Sequence, residues 1–377
     1  MGDQDDRYTF VVEWYEEIAA RIRQFLLIYY VKNKGVEMYD TNSRKTFLKT
    51  SLRDQPIDLS DLYIGSKIHI LGRQLQITEY GDEYTKSKLS TKKEKTLGLI
   101  KPDAINKMGQ ILDHIYRNGF MITKLKMCQL DRNEAFEMYQ EHRGKSFLND
   151  LLGYVTSGPV LAFEIVGENA IENWRKTIGP TDPAIARSEA PKSIRAQYGT
   201  DKTKNACHGS DSPASSAREL EFFFPSTGGK RRNTAQLSDS TCCLIKPHAV
   251  RAGLSGKIIS AILEAGFEIS AIQMVNLEKA NAEEFYEVYK GVVQEYNGMV
   301  AELTSGSCIA LEIRAQDAPK KFREMAGPAD PEIARHLRPR TIRALFGVDK
   351  VRNAVHCTDL PEDGIMEVEY FFKILEQ

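Results

Sequence analysis

Leu99-Ile100-Lys101-Pro102-Asp103 and Leu244-Ile245-Lys246-Pro247-His248 are one segment written twice. The echo continues. Gly119-Phe120 returns as Gly266-Phe267, and Thr156-Ser157-Gly158 as Thr304-Ser305-Gly306. Gly179-Pro180 with Asp182-Pro183 returns as Gly327-Pro328 with Asp330-Pro331, and Ser193-Ile194-Arg195-Ala196 as Thr341-Ile342-Arg343-Ala344. Asn205-Ala206-Cys207-His208 returns as Asn353-Ala354-Val355-His356. The order is kept and the offset drifts only from 145 to 148 residues. Solenoid units repeat every ~20–50 residues, so this period marks two duplicated domains.

The boundaries follow. Residues 91–225 form the first copy and 239–377 the second. Residues 226–238, rich in Gly, Ser, Thr and basic side chains, suit a flexible linker. Residues 1–90 match neither copy and form a separate module, whose Lys-rich exit, Lys86 to Lys95, reads as another linker.

Within the first copy, Thr96 to Ile100 reads as a short strand. Ile111, Leu112, Ile115 and Tyr116 share one face of a helix over 109–118, stopped by Gly119. Ile258, Ile259, Ile262 and Leu263 repeat that face ahead of Gly266. Phe120 to Leu130 reads as a strand, and Asp131 with Glu134 as a capping box opening the next helix. Pro159 to Val166 and Cys308 to Ile313 are matching strands. Ser212-Pro213 supplies an N-cap and an N1 proline for the last helix. The expected class is α/β (α+β): two ferredoxin-like domains in tandem, each an antiparallel sheet covered by helices.

The composition is ordinary for a globular protein: 42% hydrophobic, 27% charged, net charge −1. A general binder of nucleic acid or anionic membrane is usually more basic. No apolar run approaches the roughly 18–20 residues of a membrane span, and the acidic start lacks a signal-peptide core. Six cysteines without a CxxC, and seven scattered histidines without HExxH, predict reduced thiols in a cytoplasmic protein and no metal site made of protein ligands.

His208 alone is a weak signal. Its company is stronger: Lys101, Tyr139, Arg175, Thr181, Arg195 and Asn205 bring three cations and several hydrogen-bonding groups from separate segments. That set suits a polyphosphate, whose transfer needs charge stabilisation and positioning. A neutral imidazole is a competent nucleophile near pH 7. Glu219, eleven residues on, can hold the other ring nitrogen. GxxxxGK[ST], GxGxxG and the HRD/DFG set are all absent, so a phosphate site must be built from side chains.

Lys-Pro-Asp after a strand, Thr-Ser-Gly-Pro, Gly-Pro-Thr-Asp-Pro, Ser-Ile-Arg and Asn-Ala-Cys-His-Gly-Ser-Asp-Ser together resemble the nucleoside diphosphate kinases, over about 280 residues. The resemblance implies a phosphohistidine at His208, oriented by Glu219 and Ser210. It implies phosphate and ribose contacts from Lys101, Arg195, Asn205, Arg175, Thr181 and Tyr139, with the base stacked on Phe147. Mg²⁺ would bridge the phosphates of ATP or another nucleoside triphosphate, and transfer to a nucleoside diphosphate would be ping-pong. In the second copy the candidates are His356, Lys246, Tyr289, Tyr296, Arg323, Arg343, Asn353 and Glu367. That copy departs at His248 for Asp103, Ala329 for Thr181, Cys357 for Gly209 and Thr358 for Ser210. Its Tyr289-to-Ser305 span is 16 positions against 18 from Tyr139 to Ser157. The expectation is an active first domain and a weakened second, with Cys357 replacing a glycine that needs a special backbone angle.

With the leading module, the arrangement resembles the cilium- and microtubule-associated branch of the family, whose first module is of the DM-ten type found in axonemal proteins. That implies tubulin, axonemal or centrosomal partners, and a place on the cytoskeleton of cilia, flagella or the centrosome. In the module, Phe25 to Val31, Val36 to Asp40, Thr46 to Lys49, Tyr63 to Gly65, Ile68 to Leu71 and Leu75 to Tyr80 read as strands of a small mainly-β, pleckstrin-homology-like domain. Trp14, Tyr15 and the aromatics from Phe25 to Tyr30 read as core. The competing reading is a structural axonemal (microtubule inner) protein whose kinase folds act as binding surfaces.

Overall fold

The structure is a computed structural model describing residues 7–16, 19–52, 57–89, 93–227 and 231–376. The chain divides into two compact units: Met1–Lys93 with Thr304–Gly306, and Glu94–Leu303 with Ser307–Gln377.

In the first unit, Phe10 and Val12 flank the less buried Val11 along β1 (Arg7–Glu16), and Phe25, Leu27 and Tyr29 alternate with less buried neighbours along β2 (Arg21–Tyr30). This period of two gives one buried face. β3 (Gly35–Asp40), β4 (Lys45–Ser51), β5 (Lys67–Ile70) and β6 (Arg73–Tyr80) complete a six-stranded antiparallel sheet, ordered β4-β3-β2-β1-β6-β5. Helix α1 (Glu83–Leu89) closes against it: Thr85 Oγ1 accepts the Thr9 N–H at 2.8 Å, and the Tyr80 hydroxyl donates to the Leu89 carbonyl at 2.9 Å.

Three expectations change here. Tyr63 to Gly65 is a turn with Ile64 exposed, because the chain reverses there into β5. Tyr15 lies beyond the buried stripe and is 57% exposed, so it is not core. In the Lys-rich exit, Lys86 to Leu89 belong to α1 and Lys93 to Lys95 to β7, so the described part is regular structure rather than a linker; residues 90–92 lie outside the described residues.

The second unit carries both copies. The first runs β7 (Lys93–Ile100), α2 (Met108–Arg117), β8 (Met121–Cys128), α3 (Arg132–Met138), α4 (Leu148–Val155) and β9 (Val160–Glu168). It continues with α5 (Ala170–Ile178), α6 (Pro183–Glu189), α7 (Ile194–Tyr198), β10 (Cys207–Gly209) and α8 (Pro213–Phe223). The second runs β11 (Ser240–Ile245), α9 (Pro247–Arg251), α10 (Ser255–Glu264), β12 (Glu268–Val275), α11 (Lys279–Phe285) and α12 (Tyr296–Leu303). It ends with β13 (Cys308–Arg314), α13 (Ala318–Ala326), α14 (Pro331–Leu337), α15 (Ile342–Phe346), β14 (Val355–Cys357) and α16 (Gly364–Glu369).

The two copies share a single eight-stranded sheet, β10-β7-β9-β8-β12-β13-β11-β14, joined where β8 meets β12 at Lys126 opposite Gln273. One face carries a continuous core that crosses the junction, built on Ile111, Ile115, Ile258 and Ile262 of the predicted helix faces. The other face carries two separate cores, one per copy. α2 and α10 approach closely through glycine. A Cβ on Gly109 would stand 2.4 Å from the Ser260 nitrogen, and one on Gly256 2.2 Å from the Asp113 nitrogen.

The connecting segment is tied down rather than loose. Arg231 pairs with Glu134 at 2.9 Å and lies over the Phe222 ring, the Thr234 hydroxyl donates to the Ser270 carbonyl, and Glu312 accepts the Gln236 and Leu237 N–H groups. Residues 228–230 lie outside the described residues. All six cysteines are buried free thiols.

Candidate active site

β10 is a three-residue strand laid antiparallel on β7, with His208 opposite Leu99. The chain enters it through Ala206, whose φ of 69° is a left-handed conformation unusual for a residue with a Cβ. Asp103 holds that bend: its Oδ2 accepts the Ala206 N–H at 3.0 Å, and its Oδ1 accepts the Tyr154 hydroxyl. The bend places His208 beside α8, which Ser212 caps by accepting the Ser215 N–H.

His208 Nε2 lies 2.8 Å from Glu219 Oε2, and the Ser210 hydroxyl donates to the same oxygen at 2.8 Å. Burial pushes the Glu219 carboxyl up, but its bonds from His208 and Ser210 and the nearby Arg218 hold it below the usual range. A charged Glu219 accepts the Nε2 proton, which leaves the lone pair on Nδ1. Among the described residues, Nδ1 has no hydrogen-bond partner.

The cations converge on the same region. Lys101 Nζ donates to Asn205 Oδ1 at 2.8 Å and to the Thr203 carbonyl at 3.3 Å. Burial first, then the Arg195 charge, pull its ammonium down to about 8. Arg195 donates to the carbonyls of Gly179 and Cys207 at 2.8 and 3.0 Å, and burial lowers it to about 10. Its Nε is buried with no partner. Asn205 Nδ2 donates to the Thr181 carbonyl at 3.0 Å. Tyr139 sets its ring edge-on to His208 with centroids 5.9 Å apart, and its buried hydroxyl is also unpartnered. Phe147 stands half exposed at the start of α4, and His142 lies between it and Tyr139. Arg175 and Thr181 are exposed.

The second copy repeats the frame with exchanged parts. His356 Nε2 lies 2.9 Å from Glu367 Oε2, and the Thr358 hydroxyl donates to Glu367 at 2.7 Å, replacing Ser210. Lys246 donates to the Val351 carbonyl, Arg343 to the Gly327 and Val355 carbonyls, and Asn353 to the Ala329 carbonyl. His248 and Glu302 take the places of Asp103 and Tyr154. His248 Nε2 accepts the Ala354 N–H at 3.2 Å, and its Nδ1 faces Glu302 at 2.7 Å. The strained bend, φ 71° at Ala354, is thus kept by the opposite order of acid and donor. A cleft of about 930 Å³ opens beside Lys246, Arg343, Asn353 and His356.

Two expectations for this copy change. Helix ends align Tyr286, not Tyr289, with Tyr139: each is the C-cap residue of its helix. Tyr289 falls where His142 stands, and Tyr296 is a buried core residue of α12. The place of Phe147 is taken by Glu295, which pairs with Lys350 at 3.7 Å. Counted from Tyr286, the span to Ser305 is 19 positions, one longer than in the first copy rather than shorter.

Gly209 is the second correction. It has no left-handed backbone. It is small because a Cβ there would stand 2.5 Å from the Trp174 ring. In the second copy the facing residue is Phe322, which leaves room for Cys357. The sequence held this signal as a paired exchange, Trp with Gly for Phe with Cys.

The nucleoside diphosphate kinase family matches residues 94–228 and 239–376. The chain is 54% identical over 375 residues to nucleoside diphosphate kinase homolog 7 of Rattus norvegicus, and 53% identical to the Mus musculus protein of that name. Each comparison covers 99% of this chain and 95% of the relative. It is 37% identical over 285 residues to a thioredoxin domain-containing protein 3 homolog of Heliocidaris crassispina, covering 75% of this chain and 32% of that one. Among solved structures, the Aquifex aeolicus nucleoside diphosphate kinase is 48% identical, covering 35% of this chain and 96% of its own, with a TM-score of 0.35. With both copies matched and a relative alike over nearly its whole length, the chain belongs to the nucleoside diphosphate kinase family.

Proposed function

We propose that the first copy is a nucleoside diphosphate kinase working through a phosphohistidine at His208. The observation that carries this is the bond from His208 Nε2 to Glu219, which directs the lone pair to Nδ1. In the first half-reaction Nδ1 attacks the γ-phosphorus of a nucleoside triphosphate, the P–O bond to the β-phosphate breaks, and the nucleoside diphosphate leaves. In the second, a terminal oxygen of another nucleoside diphosphate attacks the phosphohistidine and restores the neutral ring. Glu219 stabilises the ring as its charge grows. Lys101, Arg195 and Arg175 offset the phosphate charge, with Asn205, Thr181 and Tyr139 as hydrogen-bonding groups.

The unpartnered Arg195 Nε and Tyr139 hydroxyl fit a site built for an anion. Mg²⁺ would arrive with the nucleotide, held by its phosphates. When bound, it neutralises phosphate charge. Phe147 offers a half-exposed face to any base, so base selectivity is low.

The test is incubation with γ-labelled ATP and Mg²⁺. An acid-labile, alkali-stable label should map to His208 and vanish in His208→Ala, while His356→Ala costs little. Label that persists at the wild-type level in His208→Ala would defeat the assignment.

A scaffold role, with the kinase folds as binding surfaces on ciliary or centrosomal microtubules, is the second reading. It is favoured by the loss of the base platform at Glu295 in the second copy. The first unit, read as a pleckstrin-homology-like DM-ten module, would then dock on tubulin or axonemal proteins. No helix among the described residues is long and apolar enough to cross a membrane.

A further inference from the structure

Asp211 and Asp359 stand three residues after the two histidines, and the structure uses them differently. Asp211 turns to its own helix, where its Oδ1 accepts the Ser215 hydroxyl at 2.5 Å. Its neighbour Arg175 makes no ion pair among the described residues. In the second copy Ser215 is replaced by Asp363, a carboxylate with no proton to donate. Asp359 therefore turns the other way. It accepts the Tyr289 hydroxyl at 2.6 Å and pairs with Arg323, whose Nη1 also reaches the Asp359 carbonyl at 3.2 Å. Arg323 is the counterpart of Arg175. Tyr289 stands where the first copy has His142, which makes no such bond. Two substitutions and one retained residue thus work together: Ser to Asp363 releases the carboxylate, His to Tyr289 captures it, and Arg323 neutralises it.

We propose that Asp359 is a built-in stand-in for a phosphate, latched onto Arg323 and Tyr289 at the edge of the open cleft, so that a polyphosphate gains those two groups only by displacing it. The proposal rests on reading the second copy as a polyphosphate site. It adds a regulatory element to that reading. Asp359 takes up the Nη1 end of the Arg323 guanidinium, and a carboxylate with two hydrogen-bonding partners reproduces the charge and donor needs of a phosphate oxygen. The second site is therefore intact in its histidine, lysine and arginine but occupied by its own chain. Its apparent affinity is the intrinsic affinity multiplied by the fraction of molecules with Asp359 released.

The experiment is calorimetric titration of the full chain with Mg²⁺–tripolyphosphate, which has no base, and with Mg²⁺–ADP. Both are repeated with Lys101→Ala in the background, so that the isotherm reads the second site. Asp359→Asn should tighten the second site about 1.5- to fivefold for both probes, the scale of one exposed ion pair removed. Asp363→Ser, which returns a hydroxyl partner to Asp359 without touching it, should tighten it in the same direction. Unchanged or weaker second-site binding in both variants would overturn the latch, whatever His208 does. Labelling of His208 in the chain that keeps Lys101 separately reports the phosphotransfer reading: its absence there would sink that reading while the binding result still decides the latch.

Discussion

His208 and Glu219 are joined by one 2.8 Å contact between Nε2 and Oε2, and Glu219 Oε2 is also the acceptor of Ser210. One carboxylate oxygen therefore fixes the tautomer of the ring and is itself fixed by a second donor. Glu219 is almost wholly buried, so little water is at hand to replace either bond.

The first prediction follows from that oxygen. Glu219→Gln keeps the shape but removes the charge that stabilises the ring as it takes a phosphoryl group. Bonds to charged groups are worth about 1.5–3 kcal/mol, so phosphorylation of His208 should slow by about ten- to a hundredfold with little change in nucleotide affinity. Rapid-quench labelling beside equilibrium binding checks it. An equal loss in both would show that Glu219 supports the fold of the site rather than its chemistry.

The second prediction concerns pH. Burial and Arg195 lower Lys101 from 10.5 to about 8, and Lys246 is lowered to about 8 by burial and Arg343. A phosphate favours the charged amine, so binding at the first site should weaken as pH rises through 8. Nucleotide binding near pH 8.5 should take up protons, read as a dependence of the calorimetric heat on buffer ionisation enthalpy. Lys101→Arg should reduce that uptake, because arginine stays charged. The folding sign is opposite to that of an ion-paired lysine. Between about 8 and 10.5 the unfolded chain binds more protons than the folded one. The Lys101 contribution is therefore fully present above 10.5 and lost as pH falls through about 8.

The duplicated core was legible because glycines, prolines and periodic apolar faces are local signals. The helix read over 109–118 is α2, Met108–Arg117, and the Asp131–Glu134 capping box is present. Of the candidate residues, Glu219 and Tyr139 lie against His208, Ser210 bonds Glu219, and Lys101 bonds Asn205. What escaped was pairwise and non-local. Tyr289 was matched to Tyr139 because both are tyrosines, but a single inserted residue and the helix end at Phe285 set the true register. The exchange of Asp103 and Tyr154 for His248 and Glu302 involves residues about fifty positions apart, and no single-window reading reveals it. The shared sheet escaped too, because joining β8 to β12 depends on which edges are left open, not on either strand alone. β1 was missed because Thr9, Glu13 and Glu16 interrupt its apolar residues, which dilutes the signal.

The third prediction tests the junction of the copies. At Gly109 and Gly256 the nearest obstacles to a Cβ are backbone atoms of the facing helix, which cannot rotate away. Gly109→Val should therefore force α2 from α10 and cost about 1–3 kcal/mol. The same change at Gly119, where nothing lies within 4 Å, is a poor control because its φ of 80° penalises any side chain. Gly153→Ala is the better control, with open space and helical backbone. A lower melting temperature for Gly109→Val, beside a Gly153→Ala that melts at or above the parent, checks the claim. Equal melting of the two would mean the helices part without penalty.

The fourth prediction separates location from chemistry. The core of the first unit, around Phe10, Phe25, Leu27 and Leu75, is distinct from the three cores of the second. α1 belongs to the first unit through Thr9–Thr85 and Tyr80–Leu89, and β7 begins at Lys93. A cut after residue 90 thus removes α1 with its sheet and leaves β7 whole. None of the residues assigned to phosphate handling lies before Lys101. The chain from 91 to 377 should therefore transfer phosphate at the full-length rate, because the groups around His208 keep every bond described for them. Its association with microtubules should fall, since the module proposed to dock is gone. Turnover of the truncated chain and its co-sedimentation with microtubules decide the matter. Collapsed turnover with undiminished co-sedimentation would reverse the division of labour, placing the docking surface on the kinase pair and a supporting role for the active site on the module.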